Sequence, residues 1–328
     1  MNKILIIGII ISYLKLIDII NRYKIFIKMF KILKNDDEVQ LYMKNKTQFF
    51  KNKRTNLLRQ SNIYYNESKL ITFQDKLNYL IIHESPEYKS NFADKIKLHQ
   101  YSKKIIGKDI CVPILKIYDN ANEIDFNDLP NKFVLKLNHG SGMNILCKNK
   151  SKLNITEAKT KLNEWKNINY GLISQEYQYL FIKKKIFVSP YLCDNIIDYE
   201  VWCFNGKPKF IRTQKLINEN NITILHNWYD LNWKLTDIET GLKPYIRIPS
   251  IFIDKPKNLN LMLYYSKQLS KEFAFVRIDF YEFNNTLYLS EMTFSPSNCR
   301  MKFKNKEQSI YLGNLLDISK IKTSLYNK

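Results

Sequence analysis

Arg277-Ile278-Asp279-Phe280-Tyr281-Glu282-Phe283-Asn284-Asn285-Thr286-Leu287-Tyr288-Leu289-Ser290-Glu291-Met292-Thr293 carries the decisive pattern. Apolar and aromatic residues crowd both sides of Asn284-Asn285, and asparagine tolerates the left-handed backbone of a tight turn, so the stretch reads as a β-hairpin. Alternation puts Arg277 and Asp279 on one face of the first strand, and Glu291 and Thr293 on one face of the second. Pairing across the turn then brings two carboxylates together. Such neighbours repel unless a cation lies between them, and magnesium is held by one or two carboxylates together with nucleotide phosphates. A surface ladder of arginine, aspartate and glutamate is the plainer reading.

Upstream, Phe133 to Leu137 reads as a strand that runs into Asn138-His139-Gly140-Ser141-Gly142-Met143-Asn144. Glycines let backbone N–H groups approach a phosphate, and the strand lysine, Lys136, supplies charge. GxxxxGK[ST] is absent and the lysine precedes the loop, so this is not a Walker A motif; by itself it equally describes a hairpin turn.

The rest of the 328 residues reads as a mixture of helices and strands. Thr72 caps a helix carrying Phe73, Leu77, Leu80 and Ile81, and Asp94 caps a second that runs to Ile106 and stops at Gly107. Strands are expected at 112–118, 133–137, 185–188, 199–204 and 209–213, with an Asn205-Gly206 turn between the last two, and helices at 156–166 and 257–273. Strict βαβ alternation is missing, which makes the class α+β.

Composition narrows the function. At 45% apolar and 25% charged the chain is a folded globular protein. Its net charge of +21 suits anionic ligands, yet nearly all of the 52 basic residues are lysines spread along the chain, without the arginine forks that read nucleic acid. No nucleic-acid partner is expected. The five cysteines stand singly, without CxxC or histidine at metal-ligand spacing, which fits a reducing compartment. Histidine-centred chemistry is not expected from four scattered histidines. The apolar run from Ile4 to Leu14, followed by Leu16 to Ile20, reads three ways: an interfacial helix that would give peripheral membrane association through residues 1–34, a packed helix, or a signal anchor. The charge run from Lys44 to Arg59 reads as a solvated connector.

Taken in order, these pieces resemble the ATP-grasp superfamily, and more narrowly the TupA-like ATP-grasp family of bacterial cell-surface polysaccharide and teichuronopeptide biosynthesis. The resemblance rests on Ile71-Thr72-Phe73-Gln74-Asp75-Lys76-Leu77, Ala93-Asp94-Lys95, Phe133-Val134-Leu135-Lys136 with its loop, Asp198-Tyr199, Cys203-Phe204-Asn205-Gly206-Lys207-Pro208, Trp228-Tyr229-Asp230, Arg277-Ile278-Asp279-Phe280-Tyr281 and Glu291-Met292-Thr293-Phe294. It implies an ATP-grasp fold in which two α+β subdomains clasp ATP: an N-terminal helical segment over residues 1–60, a helical lead-in over 61–93, and the grasp domain over 94–328, divided into a smaller subdomain with the glycine loop (94–190) and a metal-binding one (191–328).

The resemblance also implies roles. Lys95 and Lys136 match the lysines on ATP phosphates, and Gly140, Ser141 and Gly142 match the loop over them. Ser189, Tyr191 and Leu192 fall at the adenine hinge, and Asp198 belongs with the nucleotide-binding residues. Asp279 and Glu291 match magnesium ligands, joined by Thr293, which stands where most of the superfamily has asparagine. Arg277, with Lys136, matches the catalytic cations that neutralise the transferred phosphate. The chain departs from the pattern at Ser189, where a glutamate is usual, at His99, where an arginine is usual, and at Ser297-Asn298-Cys299, which replaces a glycine-rich end.

The implied activity is ATP- and Mg2+-dependent ligation of a small-molecule or glycan carboxylate to an amine, in the cytoplasm or at the inner face of the membrane. A glycosyltransferase of polysaccharide biosynthesis and a catalytically weak nucleotide-binding module are the alternatives. Glu176 and Tyr179 either line the nucleotide site or merely share a helix face, and Trp228, Tyr229, Asp230 and Trp233 either stack on a sugar or pack internally.

Overall fold

The computed structural model describes residues 44–60, 65–218, 223–240, 245–246 and 252–321. The apolar run near the N-terminus lies outside these residues, and no described helix is long and apolar enough to cross a membrane.

Four helices come first: α1 (Lys46–Gln60), α2 (Phe73–His83), α3 (Pro86–Ala93) and α4 (Lys97–Ile106). Helix α1 corrects the expected connector, because it buries Phe49, Phe50, Leu58 and Arg54 on one face and turns its lysines outward. Helix α2 starts at a capping box: the Thr72 hydroxyl accepts from the Asp75 N–H and the Asp75 carboxylate accepts from the Thr72 N–H. Helix α3 is an addition to the expected elements, set by Ser85 as cap and Pro86 in the first turn. Asp94 therefore ends α3 rather than starting α4, although its carboxylate still accepts the Ile96 N–H (2.9 Å). Gly107, left-handed at φ 85°, stops α4 as expected.

The smaller sheet has the order β1-β4-β2-β3, all antiparallel: β1 (Lys116–Tyr118), β2 (Phe133–Leu137), β3 (Asn144–Cys147) and β4 (Ile186–Pro190). Strand β1 is shorter than expected because the chain just before it pairs elsewhere, with the Val112 N–H donating to the Leu289 carbonyl (3.1 Å) and the Leu289 N–H to the Ile110 carbonyl (2.7 Å), and Pro113 then has no N–H for the ladder. One face of this sheet buries Phe133, Leu135, Leu137, Ile186 and Val188 with Leu162 of helix α5 (Ile155–Asn167). The short helix α6 (Tyr170–Ile173) and a 3-10 turn (Tyr177–Phe181) lead on to β4.

The larger sheet has the order β10-β9-β5-β6-β7-β8. Its strands are β5 (Asp198–Phe204), β6 (Lys207–Asn218), β7 (Thr223–Tyr229), β8 (Tyr245–Ile246), β9 (Phe275–Phe283) and β10 (Thr286–Thr293), antiparallel except for β7 with β8. Both expected turns are present, with Asn205, Gly206, Asn284 and Asn285 at positive φ. Helix α7 (Leu259–Ser270) lies against β5, β6 and β9, and helix α8 (Lys306–Leu315) packs on α2. Phe73 of α2 packs against Trp202, Phe204 and Phe275. Those three share a strand face with Asp198, Glu200, Arg277 and Asp279, so the same face is core at one end and polar at the other. Leu98, Ile110 and Cys111 join the larger core, whereas the smaller core begins at Ala121.

Candidate active site

The polar end of that face forms the floor of a cleft of about 710 Å3, roofed by the smaller sheet. Along the floor, Glu291 stands opposite Asp279, Asp279 opposite Glu200, and Glu200 opposite Arg212. Arg277 draws the three carboxylates together. Its Nε and Nη2 donate to the two oxygens of Asp279 (2.7 and 2.5 Å), Nη2 also reaches Glu291 Oε1 (3.3 Å), and Nη1 reaches Glu200 Oε1 (3.1 Å). The Thr293 hydroxyl accepts from Arg277 Nη2 (3.1 Å) and donates to Glu291 Oε1 (3.3 Å). Arg212 forks onto Glu200, with its guanidinium 5.7 Å from the rings of Trp202 and Trp228, and Gln214 donates to Glu200 Oε1 (2.6 Å).

The meeting of Asp279 with Glu291 depends on a device that alternation alone does not contain. A two-residue turn pairs Phe283 with Thr286 and, three residues on, Phe280 with Leu289. Continued in register, it would set Ser290 across from Asp279 and Glu291 across from Ile278, on the buried face. A β-bulge between Leu289 and Glu291 absorbs Ser290 and brings Glu291 onto the cleft face.

The roof supplies cations. Lys136 lies on β2 between Asn144 of β3 and Phe187 of β4. Burial and the neighbouring Lys95 lower its pKa to about 8, against the pull of Glu291 and Asp198, and its ammonium makes no hydrogen bond among the described residues. Lys95 ties roof to floor, donating to the Gly140 carbonyl (2.9 Å) and pairing with Glu291 Oε2 (3.0 Å). Burial works against a charge on Glu291, but Lys95 and Arg277 hold its pKa down to about 2. Burial, with Glu200 and Glu291 close by, raises Asp198 to about 7.

The glycine loop is fixed at its stem by Asn138, whose amide donates to Asp94 Oδ1 (2.9 Å) and the Lys183 carbonyl (3.0 Å) and accepts the Lys185 N–H (2.8 Å). At Gly140 a Cβ would meet Met143 Cε at 2.2 Å and Tyr170 Cγ at 2.9 Å; Gly142 has φ +75°. Asp94 and Lys95 thus set the loop's base and its height.

Of the residues expected at the site, Lys95, Lys136, Gly140, Ser141, Gly142, Ser189, Asp198, Arg277, Asp279, Glu291 and Thr293 all line the cleft. Tyr191 and Leu192 are not brought to its wall; the Tyr191 hydroxyl donates instead to Asp194 (2.6 Å). The lining also includes Glu200, Arg212 and Gln214, which the sequence reading passed over, although Asp198 and Glu200 stand two apart on a strand and share its face. Glu176 and Tyr179 are lining residues too, and Glu176 accepts from the Ser295 hydroxyl (2.7 Å). The aromatic group packs internally: Trp228 is buried against Trp202, and Tyr229 stacks on Trp233 at 4.2 Å. His99, Asp109 and Cys111, apart in sequence, bring ligand-type atoms within 4.8 Å of one another at the cleft edge. There Asp109 already accepts from His99 Nδ1 (2.7 Å), the Ser102 hydroxyl and the Cys111 N–H, so a hydrogen-bond network accounts for the grouping.

The floor's donor set, two facing carboxylates and a hydroxyl, is all oxygen and suits a hard divalent cation. Arg277 and Lys95 now engage those oxygens.

Known proteins were compared with the chain. No curated protein matches the sequence. Among solved structures, D-alanine-D-alanine ligase from Helicobacter pylori is 15% identical over 69% of this chain and 62% of its own (TM-score 0.39). Biotin carboxylase from Campylobacter jejuni, in its complex with β-γ-ATP, is 14% identical over 85% and 54% (0.41), and an L-amino acid ligase from Bacillus licheniformis 11% over 62% and 42% (0.39). The chain spans less than two thirds of the length of each. The family model described as TupA-like ATPgrasp matches residues 74–317, so the α+β fold is an ATP-grasp fold and the chain belongs to the TupA-like ATP-grasp family.

Proposed function

We propose that the chain is an ATP-grasp ligase, which uses Mg-ATP to activate a carboxylate and joins it to an amine in the biosynthesis of a cell-surface polysaccharide. The observation that carries this reading is the pairing of a hydrogen-bonded acidic floor with a half-buried roof lysine, Lys136, whose side chain closes no ion pair among the described residues although Glu291 and Asp198 act on it from across the cleft. A phosphate chain between the two surfaces satisfies Lys136 and draws Lys95 from Glu291. Asp279 and Glu291, with Thr293, would hold magnesium, which neutralises phosphate charge during transfer. The backbone of Gly140, Ser141 and Gly142 lies where it can donate to the phosphates. Ser189 and Phe187 share the cleft-facing side of the smaller sheet with the exposed side chains of Leu146 and Ile117, a surface suited to a flat base.

In the first step a carboxylate oxygen of the substrate forms a bond to the γ-phosphorus as the bond to the β-bridging oxygen breaks, and ADP leaves. An amine nitrogen then bonds to the acyl carbon, the bond from that carbon to the phosphate oxygen breaks, and phosphate leaves carrying the proton given up by the nitrogen. Negative charge grows on oxygen in both steps. Arg277 and Lys136 supply fixed positive charge there, with no proton to be moved by histidine. The uronic-acid-type carboxylate and the polysaccharide setting follow from the family resemblance.

The test is equilibrium binding of Mg-ATP, followed by ADP release on a panel of uronic acids and amines. Binding that needs magnesium and is lost in Lys136→Ala and Asp279→Asn supports the reading. Sugar-nucleotide hydrolysis without ATP use would replace it with the glycosyltransferase, and tight binding without turnover on any pair with the binding module.

A further inference from the structure

Helix α1 lies ahead of the family match, yet one of its side chains reaches the cleft wall. Arg54 is fully buried and has no carboxylate partner among the described residues. Its Nη1 donates to Asn298 Oδ1 (2.7 Å), Nη2 to the Asn298 carbonyl (2.6 Å), and Nε to Asn78 Oδ1 (2.6 Å). A buried guanidinium without a counter-ion is costly, and neutral oxygens compensate it only when each is accurately placed.

The segment it holds is strained. Ser297, Asn298 and Cys299 have φ of 51°, 53° and 55°, three consecutive non-glycine residues in the left-handed region. L-residues visit that region singly, and runs persist only where the surroundings over-determine them. The turn's backbone bonds, Asn298 N–H to the Ser295 carbonyl (2.8 Å) and Arg300 N–H to the Ser297 carbonyl (3.0 Å), are local and carry no information from the rest of the fold. Arg54 contributes the long-range part, gripping the middle residue by side chain and main chain together. Because arginine only donates, it also fixes which end of the Asn298 amide faces it, and Nδ2 is left buried without a partner among the described residues. Ser295, Ser297, Asn298 and Arg300 all line the cleft, directly after the strand that carries Glu291 and Thr293.

We infer that Arg54 is a positioning residue for the active site: its fork holds the Ser297–Cys299 turn left-handed and so shapes the cleft wall beyond Thr293, which makes helix α1 a working part of the enzyme. The clause about catalysis rests on the ligase reading; the clause about the turn does not.

The experiment uses the full chain as wild type, Arg54→Lys, which keeps the charge without the fork, and Arg54→Met. Amide hydrogen exchange is followed at residues 297–300, with β9 amides as the control for global unfolding. The expected result is exchange on the order of tenfold faster at the turn in both variants while β9 keeps its protection. Alongside, ADP formation by Arg54→Lys, expressed per folded molecule by active-site titration with Mg-ATP so that a smaller folded fraction does not count, is expected to show kcat lowered about tenfold with KM for Mg-ATP unchanged. Wild-type exchange at the turn in both variants overturns the clamp. Faster exchange with both kinetic constants unchanged overturns the role in catalysis. A wild type that binds no Mg-ATP refutes the ligase reading and leaves the exchange result to decide whether Arg54 holds the turn. If Arg54→Met does not fold, Arg54→Lys carries the same comparison.

Discussion

The floor and the roof of the cleft are built on opposite electrostatic terms. On the floor every acidic group of the central row has its cation: Arg277 serves Asp279, Glu200 and Glu291, and Arg212 serves Glu200 again. On the roof the half-buried Lys136 lies beside a second lysine, and its ammonium has no hydrogen bond among the described residues. The three carboxylates of the floor are each paired as they stand. The roof is left short of negative charge, the condition in which a phosphate gains most by entering.

Arg277→Met breaks the comparison most severely, because it strands three carboxylates in a buried row. We expect a loss of about 3–5 kcal/mol, read as a fall in melting temperature of roughly 10 °C. A melting temperature near wild type would mean that the floor does not need its arginine.

Lys136→Ala tests the other surface and should behave in the opposite way, changing the free protein little while abolishing stabilisation by ligand. Mg-ATP at one hundred times its dissociation constant should add about 2.7 kcal/mol to the wild type and nothing to the variant, by thermal unfolding with and without nucleotide. Equal shifts in the two would end the contrast.

Asn138→Ala removes the stem of the glycine loop, taking one of two donors from Asp94 Oδ1, the side-chain donor from the Lys183 carbonyl and the side-chain acceptor from the Lys185 N–H. About 2 kcal/mol of stability should go, in urea unfolding, with weaker Mg-ATP binding because the loop is no longer set.

The pH dependence sharpens the comparison further. The folded pKa of Lys136, about 8, lies below its ordinary 10.5, so between these values the unfolded chain binds more protons than the folded one. Lys136 therefore makes stability rise with pH from about 8 to 10.5, and Lys136→Met should remove that contribution. Nucleotide binding at pH 8 should take up about half a proton, seen as a dependence of the calorimetric heat on buffer ionisation. The smallest effect belongs to Gly142→Ala, where the positive φ costs a side chain about 1 kcal/mol, measured as a shift in the urea midpoint.

The sequence by itself determined the parts that neighbouring residues settle. Thr72 with Asp75 starts α2, Gly107 ends α4, and Asn205-Gly206 and Asn284-Asn285 close the two hairpins, because caps and two-residue turns involve groups only a few residues apart. The order of short motifs likewise identified the ATP-grasp family and pointed to eleven of the residues that line the cleft. Register was not legible in this way. Whether Glu291 faces Asp279 or the core turns on one extra residue, Ser290, and the bulge forms because Leu287, Leu289 and Met292 must be buried while Glu291 must not. Glu200 became part of the site only when β5 was laid beside β9. The reach of Arg54 across 244 positions to Asn298, and the gathering of His99, Asp109 and Cys111, were likewise decided by tertiary packing. Contacts between distant segments are selected by the burial of whole faces, and that quantity exists only once the chain has folded.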